Sequence, residues 1–208
     1  MSLLLRYMRL TDIPEVTVID QMSFDPAWSA RSYQFEVSES TYSYMVVLEY
    51  SEEKQKSGWR RLVPSLNGAH LDGSQIVGYG GLWNIMDEAH ISTIAVHPEF
   101  RGRGYGEILL AGMVRRSIKL NADYVVLEVR VSNITAQNLY KKYGFQTVAT
   151  KPKYYHSNNE DAYEMRLNLE NRYFTAHYEE RYAKLVEAHS LADQYSDTAP
   201  PRKMGHDL

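Results

Sequence analysis

No cysteine occurs among the 208 residues. That absence excludes disulfides, a thiol nucleophile and any cysteine-ligated metal site, and no metal is expected. An excess of one charge is lacking as well. The net charge is −3, so nothing global draws the chain to nucleic acid or to an anionic membrane. Long apolar runs are also missing. The opening MSLLLRYMRL holds three consecutive leucines, but Arg6 and Arg9 cut the run well short of a signal or membrane segment. A cytoplasmic protein is the expectation. What is present is ordinary for a globular chain, with 44% hydrophobic and 24% charged residues. The length suits one domain with a sizeable core and is short for two. Seventeen tyrosines are unusual, and many lie in the last third.

The stretch from His90 to Leu120 organises the rest. It reads as a buried strand over Ile91 to Val96, a turn at Pro98, a glycine-rich loop and an amphipathic helix. The loop is Arg101-Gly102-Arg103-Gly104-Tyr105-Gly106, followed by Glu107. Its glycines allow positive φ and bare N–H groups, and the next helix points its N-terminus at the same place. Together these make an anion site. The dinucleotide fingerprint does not fit, because the third glycine comes one position early, and a Walker loop would need Lys-Ser/Thr where Glu107 stands. A plain strand-to-helix turn with solvated arginines is the bland alternative. What does fit is Arg-x-x-Gly-x-Gly, as Arg101, Gly104 and Gly106. That spacing resembles the pyrophosphate loop of the GNAT acetyltransferases, which bind acetyl coenzyme A.

Other segments read as follows. Leu3 to Arg9 is a first strand, and Thr11-Asp12-Ile13-Pro14 starts a helix with the stripe Val16, Ile19, Met22. Phe24 and Trp28 sit in a turn, either as a lid on the core or as a substrate lining, and Ser29 caps a second helix to about Ser38. Tyr42 to Tyr50 is a strand. The polar stretch 51–74 is an inserted hairpin or flexible loop, with Lys54, Lys56, Arg60 and Arg61 around Trp59 as a solvated face or docking patch. Gln75 to Met86 resumes as a strand whose glycines suit a bulge or a close ligand approach.

Tyr124 to Val131 is a strand with apolar residues on both faces, so it is central and covered. Glu128 on it would be costly without a partner; it is either half of a salt bridge or a carboxylate at a cleft. Asn133 caps a short helix carrying Ala136, Leu139 and Tyr140 on one face, and Gly144 ends it. Tyr140 alone reads as a core tyrosine. Gln146 to Tyr155 and Asp161 to Asn168 form a hairpin through Ser157-Asn158-Asn159-Glu160. Arg172 to about Gln194 reads as a helix with the stripe Phe174, Tyr178, Tyr182, Leu185, set to pack on its own domain. Residues 196–208 read as disordered.

Asn133, Ala136, Leu139, Tyr140, Gly144 and Phe145 are similar to the second GNAT signature, at the usual distance from the first. The resemblance spans roughly residues 3–169. It implies an α/β fold with a mixed, mostly antiparallel sheet flanked by helices and splayed central strands that hold the cofactor. The expected organisation is an acetyltransferase domain over 1–169, with the 51–74 insertion, and a helical extension over 170–208. Leu127 to Asn133, Tyr154-Tyr155 before Asp161-Ala162, and Trp28-Ser29 after Phe24 resemble the bacterial branch that acetylates ribosomal-protein alanine. The implied acceptor is a protein or peptide N-terminus, such as that of a ribosomal protein, for a monomer or weak dimer. His156 stands where the branch usually has proline, which bears on peptide specificity; its own reading is an exposed loop residue.

The resemblance implies roles. Glu128 is the base, through water, and Tyr140 the acid toward the thiolate. Backbone N–H groups of Ile94, Ala95 and Val96 meet the acetyl carbonyl, Asn133 the pantetheine arm, and Gly102 to Glu107 the pyrophosphate. Phe24, Trp28, Tyr154 and Tyr155 line the acceptor site. Without cysteine, transfer is direct rather than ping-pong. The rival readings are a GNAT acting on lysine or a small-molecule amine, and a non-catalytic acyl-coenzyme-A-binding module.

Overall fold

The computed structural model describes residues 2–51, 73–170 and 172–201. Most of the expected insertion, 52–72, and the tail 202–208 lie outside the described residues. Eight strands form one sheet: β1 (Ser2–Tyr7), β2 (Ser43–Ser51), β3 (Ser74–Ile85), β4 (Glu88–Val96), β5 (Tyr124–Arg130), β6 (Gln146–Tyr155), β7 (Glu160–Asn168) and β8 (Leu191–Asp193). Their spatial order is β6-β7-β5-β4-β3-β2-β1-β8. Pairing is antiparallel except at β4/β5 and β1/β8. The mixed, mostly antiparallel sheet with flanking helices is therefore the expected one.

Helices cover both faces. On one lie α1 (Ile13–Gln21) and α2 (Ala30–Ser38), whose Val16, Ile19 and Tyr33 pack with Met45, Val47, Ile76 and Tyr79. Ser29 caps α2 as expected, its hydroxyl accepting from the Ser32 N–H at 3.1 Å. On the other face lies α3 (Tyr105–Lys119), against Leu5, Val46, Leu48 and Val77. The alternation of Val46 and Val47 between the two clusters is the period of two expected of a strand buried on both sides.

Helix α3 is buried all round from Ile108 to Val114, beyond what an amphipathic helix needs. The cause is α5 (Arg172–His189), which lies across its outer side. The Tyr178 hydroxyl donates to the Ala111 carbonyl at 2.6 Å, and the Arg115 guanidinium bonds Glu179 at 3.0 Å. The remaining helix, α4 (Ile134–Lys142), follows β5. Its N-terminus is capped as expected, with Asn133 Oδ1 accepting from the Ala136 N–H at 3.1 Å.

Two expectations at the C-terminus are corrected. The helix stops at His189 rather than near Gln194, because Ser190 turns into the left-handed region with φ 47°. The chain then adds β8 to the edge of β1. Residues 196–201 are described, and the first of these is anchored rather than disordered. Tyr195 is fully buried, its hydroxyl donating to the Tyr44 carbonyl at 2.9 Å. Ser196 is 1% exposed beside Asp193 and Arg115. A polar composition hid this, since the anchoring comes from one tyrosine and side-chain hydrogen bonds that no local pattern announces.

Helix α3 lies close on the sheet. A Cβ added at Gly112 would stand 2.3 Å from Leu5 Cδ2, and Leu5 is itself fully buried. Gly112→Ala is expected to destabilise the fold by about 1–3 kcal/mol, as overpacking does. Urea unfolding at matched slope checks it.

Candidate active site

The strand-to-helix loop forms as its glycines dictate. Gly102 and Gly104 have φ of +77° and +83°, values L side chains rarely adopt. Gly104 is the N-cap of α3 with no side-chain bond to the helix's first N–H groups. Those donors and the positive helix end therefore face outward, a cradle for an anion. The two arginines are held by the protein. Arg101 donates to the Val96 carbonyl at 3.1 Å and to Ser23 Oγ at 3.2 Å. Arg103 donates to the Glu99 carbonyl at 3.3 Å and lies 4.8 Å from the centre of the Phe100 ring. Tyr105 is buried beside Phe100. The Glu107 carboxylate would repel an anion, but Lys142 Nζ at 2.7 Å and the Tyr143 hydroxyl at 2.8 Å occupy it. Burial pushes its pKa up, and these bonds outweigh that and leave it lowered.

Beside the cradle the sheet opens. The parallel ladder pairs Glu88 to Ile91 with Tyr124 to Leu127 and goes no further. At the same point β4 carries a bulge, with Thr93 opposite Gly81, Ile91 opposite Leu82, and Ser92 between them. Bulges bend the strand that carries them. Beyond it, the His97 N–H donates to the Val77 carbonyl of β3 at 2.9 Å. By strand alternation Ala95 also faces β3, while Ile94 and Val96 turn their N–H groups into the gap. The expectation for Ala95 is thus corrected: two of the three N–H groups are available to a ligand. Val96 adjoins the loop, 3.8 Å from where a Gly106 Cβ would stand. The open edge therefore runs on into the cradle. An amide-bearing arm ending in a diphosphate fits this track of backbone donors.

The gap widens into a cleft of about 290 Å³. Glu128, Tyr140, Asn133, Ile94, Phe24, Trp28, Tyr154 and Tyr155 all line it, so residues distant in sequence meet there. Glu128 is held from both sides. Oε2 bonds His90 Nε2 at 2.8 Å, and Oε1 bonds Lys151 Nζ at 2.5 Å. Burial pushes its pKa up, but the bonds from His90 and Lys151 reverse that and bring it down to about 2. The salt bridge and the cleft carboxylate are therefore one and the same residue. An ionised carboxylate can only accept, which assigns His90 Nε2 as the donor.

Tyr140 is 5% exposed, and burial raises the pKa of its hydroxyl, which is a neutral donor at physiological pH. Its ring packs on Phe145 at 5.9 Å. The Asn133 carbonyl oxygen is occupied by the helix cap. On the rim, Tyr154 and Tyr155 pack edge to face at 5.2 Å, and Arg130 lies 3.8 Å from the centre of the Tyr155 ring. His156 is exposed in the turn beyond.

The opposite rim hangs on Asp20, 1% exposed. It accepts from the Tyr33 hydroxyl at 2.8 Å, the Trp28 N–H at 2.5 Å and the Tyr79 hydroxyl. This cluster pins the Phe24–Trp28 turn over the sheet, while Trp28 also stacks on Trp83. Lid and lining are thus a single arrangement. Sequence reasoning missed His90, Asp20, Ser92, Thr93 and Lys151. The signal for His90 was an imidazole on a strand paired with β5, in register beside Val126 and two residues short of Glu128. Asp20 gave no comparable signal. Among the described residues no group of acidic and histidine side chains could hold a metal ion.

Comparison with known proteins agrees with this geometry. Residues 14–145 match the Acetyltransferase (GNAT) family. A Bacillus subtilis protein provisionally named ribosomal protein bS18-alanine N-acetyltransferase is 39% identical over 157 residues, covering 76% of this chain and 89% of its own. An N-alpha-acetyltransferase of Sulfurisphaera tokodaii is 31% identical over 178 residues, covering 79% and 92%. The crystal structure of the Escherichia coli ribosomal-protein-S18-alanine N-acetyltransferase has the same fold. It superposes with a TM-score of 0.62 at 23% identity, over 82% of this chain and 97% of that one. An anion cradle, a parted parallel ladder and a match across the middle of the chain converge: the protein belongs to the GNAT family of acetyltransferases.

Proposed function

We propose that the chain moves the acetyl group of acetyl coenzyme A directly to the α-amine of a protein N-terminus, with alanine of a ribosomal protein as the acceptor. The observation that carries this reading is the cleft itself, which Glu128 and Tyr140 line together at the mouth of the parted strands. The acceptor assignment rests on the names of the Bacillus and Sulfurisphaera relatives and on the aromatic rim. Tyr154, Tyr155, Phe24 and Trp28 form walls suited to an extended backbone rather than to a free ion. No helix among the described residues is long and apolar enough to cross a membrane, and we place the reaction in the cytoplasm.

The chemistry asks three things of these residues. The acceptor α-amine has a pKa near 8, so it arrives largely protonated and must lose a proton. Glu128, with its pKa near 2, is too weak a base to keep that proton. It serves as the fixed negative charge that draws the ammonium and orients an intervening water, through which the proton passes to solvent. The free amine then attacks the thioester carbonyl. The N–H groups of Ile94 and Val96 are the donors available to the oxygen and to the arm behind it. As the carbon–sulfur bond breaks, the sulfur takes the proton of the Tyr140 hydroxyl, the neutral donor at the cleft.

Tyr140→Phe is expected to lower turnover by roughly 10²-fold, the range for losing a general acid, with little change in cofactor affinity. Steady-state kinetics beside calorimetry check it; unchanged turnover would make Tyr140 a packing residue.

The acid limb of the pH–rate profile is assigned to the acceptor α-amine, which reacts only when deprotonated. Glu128 remains ionised down to about pH 2, so its titration does not set a limb above pH 4. Glu128→Gln should therefore slow the reaction and leave the limb in place. Loss of the limb in that variant would make Glu128 the titrating base.

Acceptor class is read with two peptides and labelled acetyl coenzyme A. One begins with alanine and lacks lysine; the other has a blocked N-terminus and one lysine. Label on the first alone is expected. Label on the second alone would overturn the acceptor, and label on neither would remove the protein substrate altogether.

A further inference from the structure

The last turn of α5 ends over the anion cradle. A Cβ added at Gly104 would stand 3.2 Å from both Cε1 and Nε2 of His189. The imidazole thus lies against the backbone of the loop's central glycine, whose missing side chain leaves it room. Among the described residues no side-chain bond to this ring is found, and His189 is half-buried.

Its position is set by a rigid frame. Helix α5 is tied to α3 through Tyr178 and the Ala111 carbonyl. It is tied to the end of α4 through Arg181, which donates to the Lys142 carbonyl at 2.8 Å and lies 4.0 Å from the centre of the Tyr143 ring. Tyr182 donates to Asp193 Oδ2 at 2.7 Å, just past the helix end. The ring is therefore presented by packed structure on both sides of its turn.

The charged side chains around the cradle are tethered to the protein, with guanidinium N–H groups to spare. Arg101 and Arg103 each donate to backbone carbonyls, and Lys142 is bound to Glu107. The backbone N–H groups of the loop supply directional donors. Against the loop's central glycine, His189 adds a ring N–H for which no described side chain is the acceptor.

We propose that His189 is a further cofactor-binding residue, its ring N–H donating to a phosphate of coenzyme A held in the cradle. The C-terminal extension would then complete the cofactor site as well as cover α3. This inference rests on the acetyl-coenzyme-A reading above. The ligand offers two sources of the same chemistry, the diphosphate bridge and the 3′-phosphate of the ribose.

The test measures binding of coenzyme A and of 3′-dephospho-coenzyme A by calorimetry, to the full chain and to His189→Ala. It adds kcat/KM for acetyl coenzyme A against acetyl-pantetheine, which lacks every phosphate. The expected result is an affinity loss of about tenfold for coenzyme A, the scale of one charge-assisted hydrogen bond. The preference for acetyl coenzyme A over acetyl-pantetheine falls by the same factor. His189→Gln, which keeps an N–H donor, should recover part of the loss. Equal loss on both nucleotide ligands identifies the diphosphate as the partner; loss on coenzyme A alone identifies the 3′-phosphate. Unchanged affinity overturns the proposal, and so does equal loss on acetyl coenzyme A and acetyl-pantetheine, which would mark a purely structural role. Failure of the unmodified chain to bind coenzyme A at all would instead sink the acetyl-transfer reading.

Discussion

The parallel ladder between β4 and β5 pairs four residues on each strand and stops, and the site depends on that stop. Where two central strands part, their backbone groups lose sheet partners, and buried backbone donors need some partner. The bulge at Ser92 bends β4 away, and alternation turns the N–H groups of Ile94 and Val96 into the opening. A continuous sheet would have no use for a ligand there. A parted one offers an edge to an extended, amide-bearing molecule much as it would to another strand, and the helix end beside it offers a place for the charge.

The same parting explains how a carboxylate is kept ionised in a largely apolar layer. Glu128 faces the opening from β5, where burial opposes its charge. His90 reaches it from β4 below the point of separation, and Lys151 from β6. Three strands thus contribute to one charged group, and its low pKa reflects that surround rather than exposure. The cost is basicity. A carboxylate so well satisfied holds a position and a field better than it holds a proton, which is why its proposed role is to draw the amine and orient a water.

The C-terminal extension changes the surroundings of α3. Without it the outer side of that helix, including Ala111, would meet water. With it, Tyr178, Tyr182 and Tyr195 are buried, and β8 lengthens the sheet beyond β1. The high tyrosine count of the last third finds its reason here. A tyrosine buries a large ring while its hydroxyl satisfies a backbone carbonyl or carboxylate, as Tyr178 does at Ala111, Tyr195 at Tyr44 and Tyr182 at Asp193.

Local chemistry made much of this legible from sequence. Period-two runs marked the strands, Ser29 and Asn133 marked helix starts, and glycines at 102 and 104 marked a loop open to an anion, because each of these signals acts over a few residues. The two signature segments lay among such signals, and the family resemblance they carry implied the fold class. Other features came only from the tertiary structure. Nothing near Glu128 in sequence announces His90 or Lys151, which lie 38 and 23 residues away. Asp20 owes its three donors to α1, α2 and β3 meeting, and residues 191–196 are ordered by an edge strand from the other end of the chain. In each case the deciding energy comes from a partner brought close by the sheet, and a hydrogen bond or buried ring leaves no mark on the local pattern of either residue that makes it.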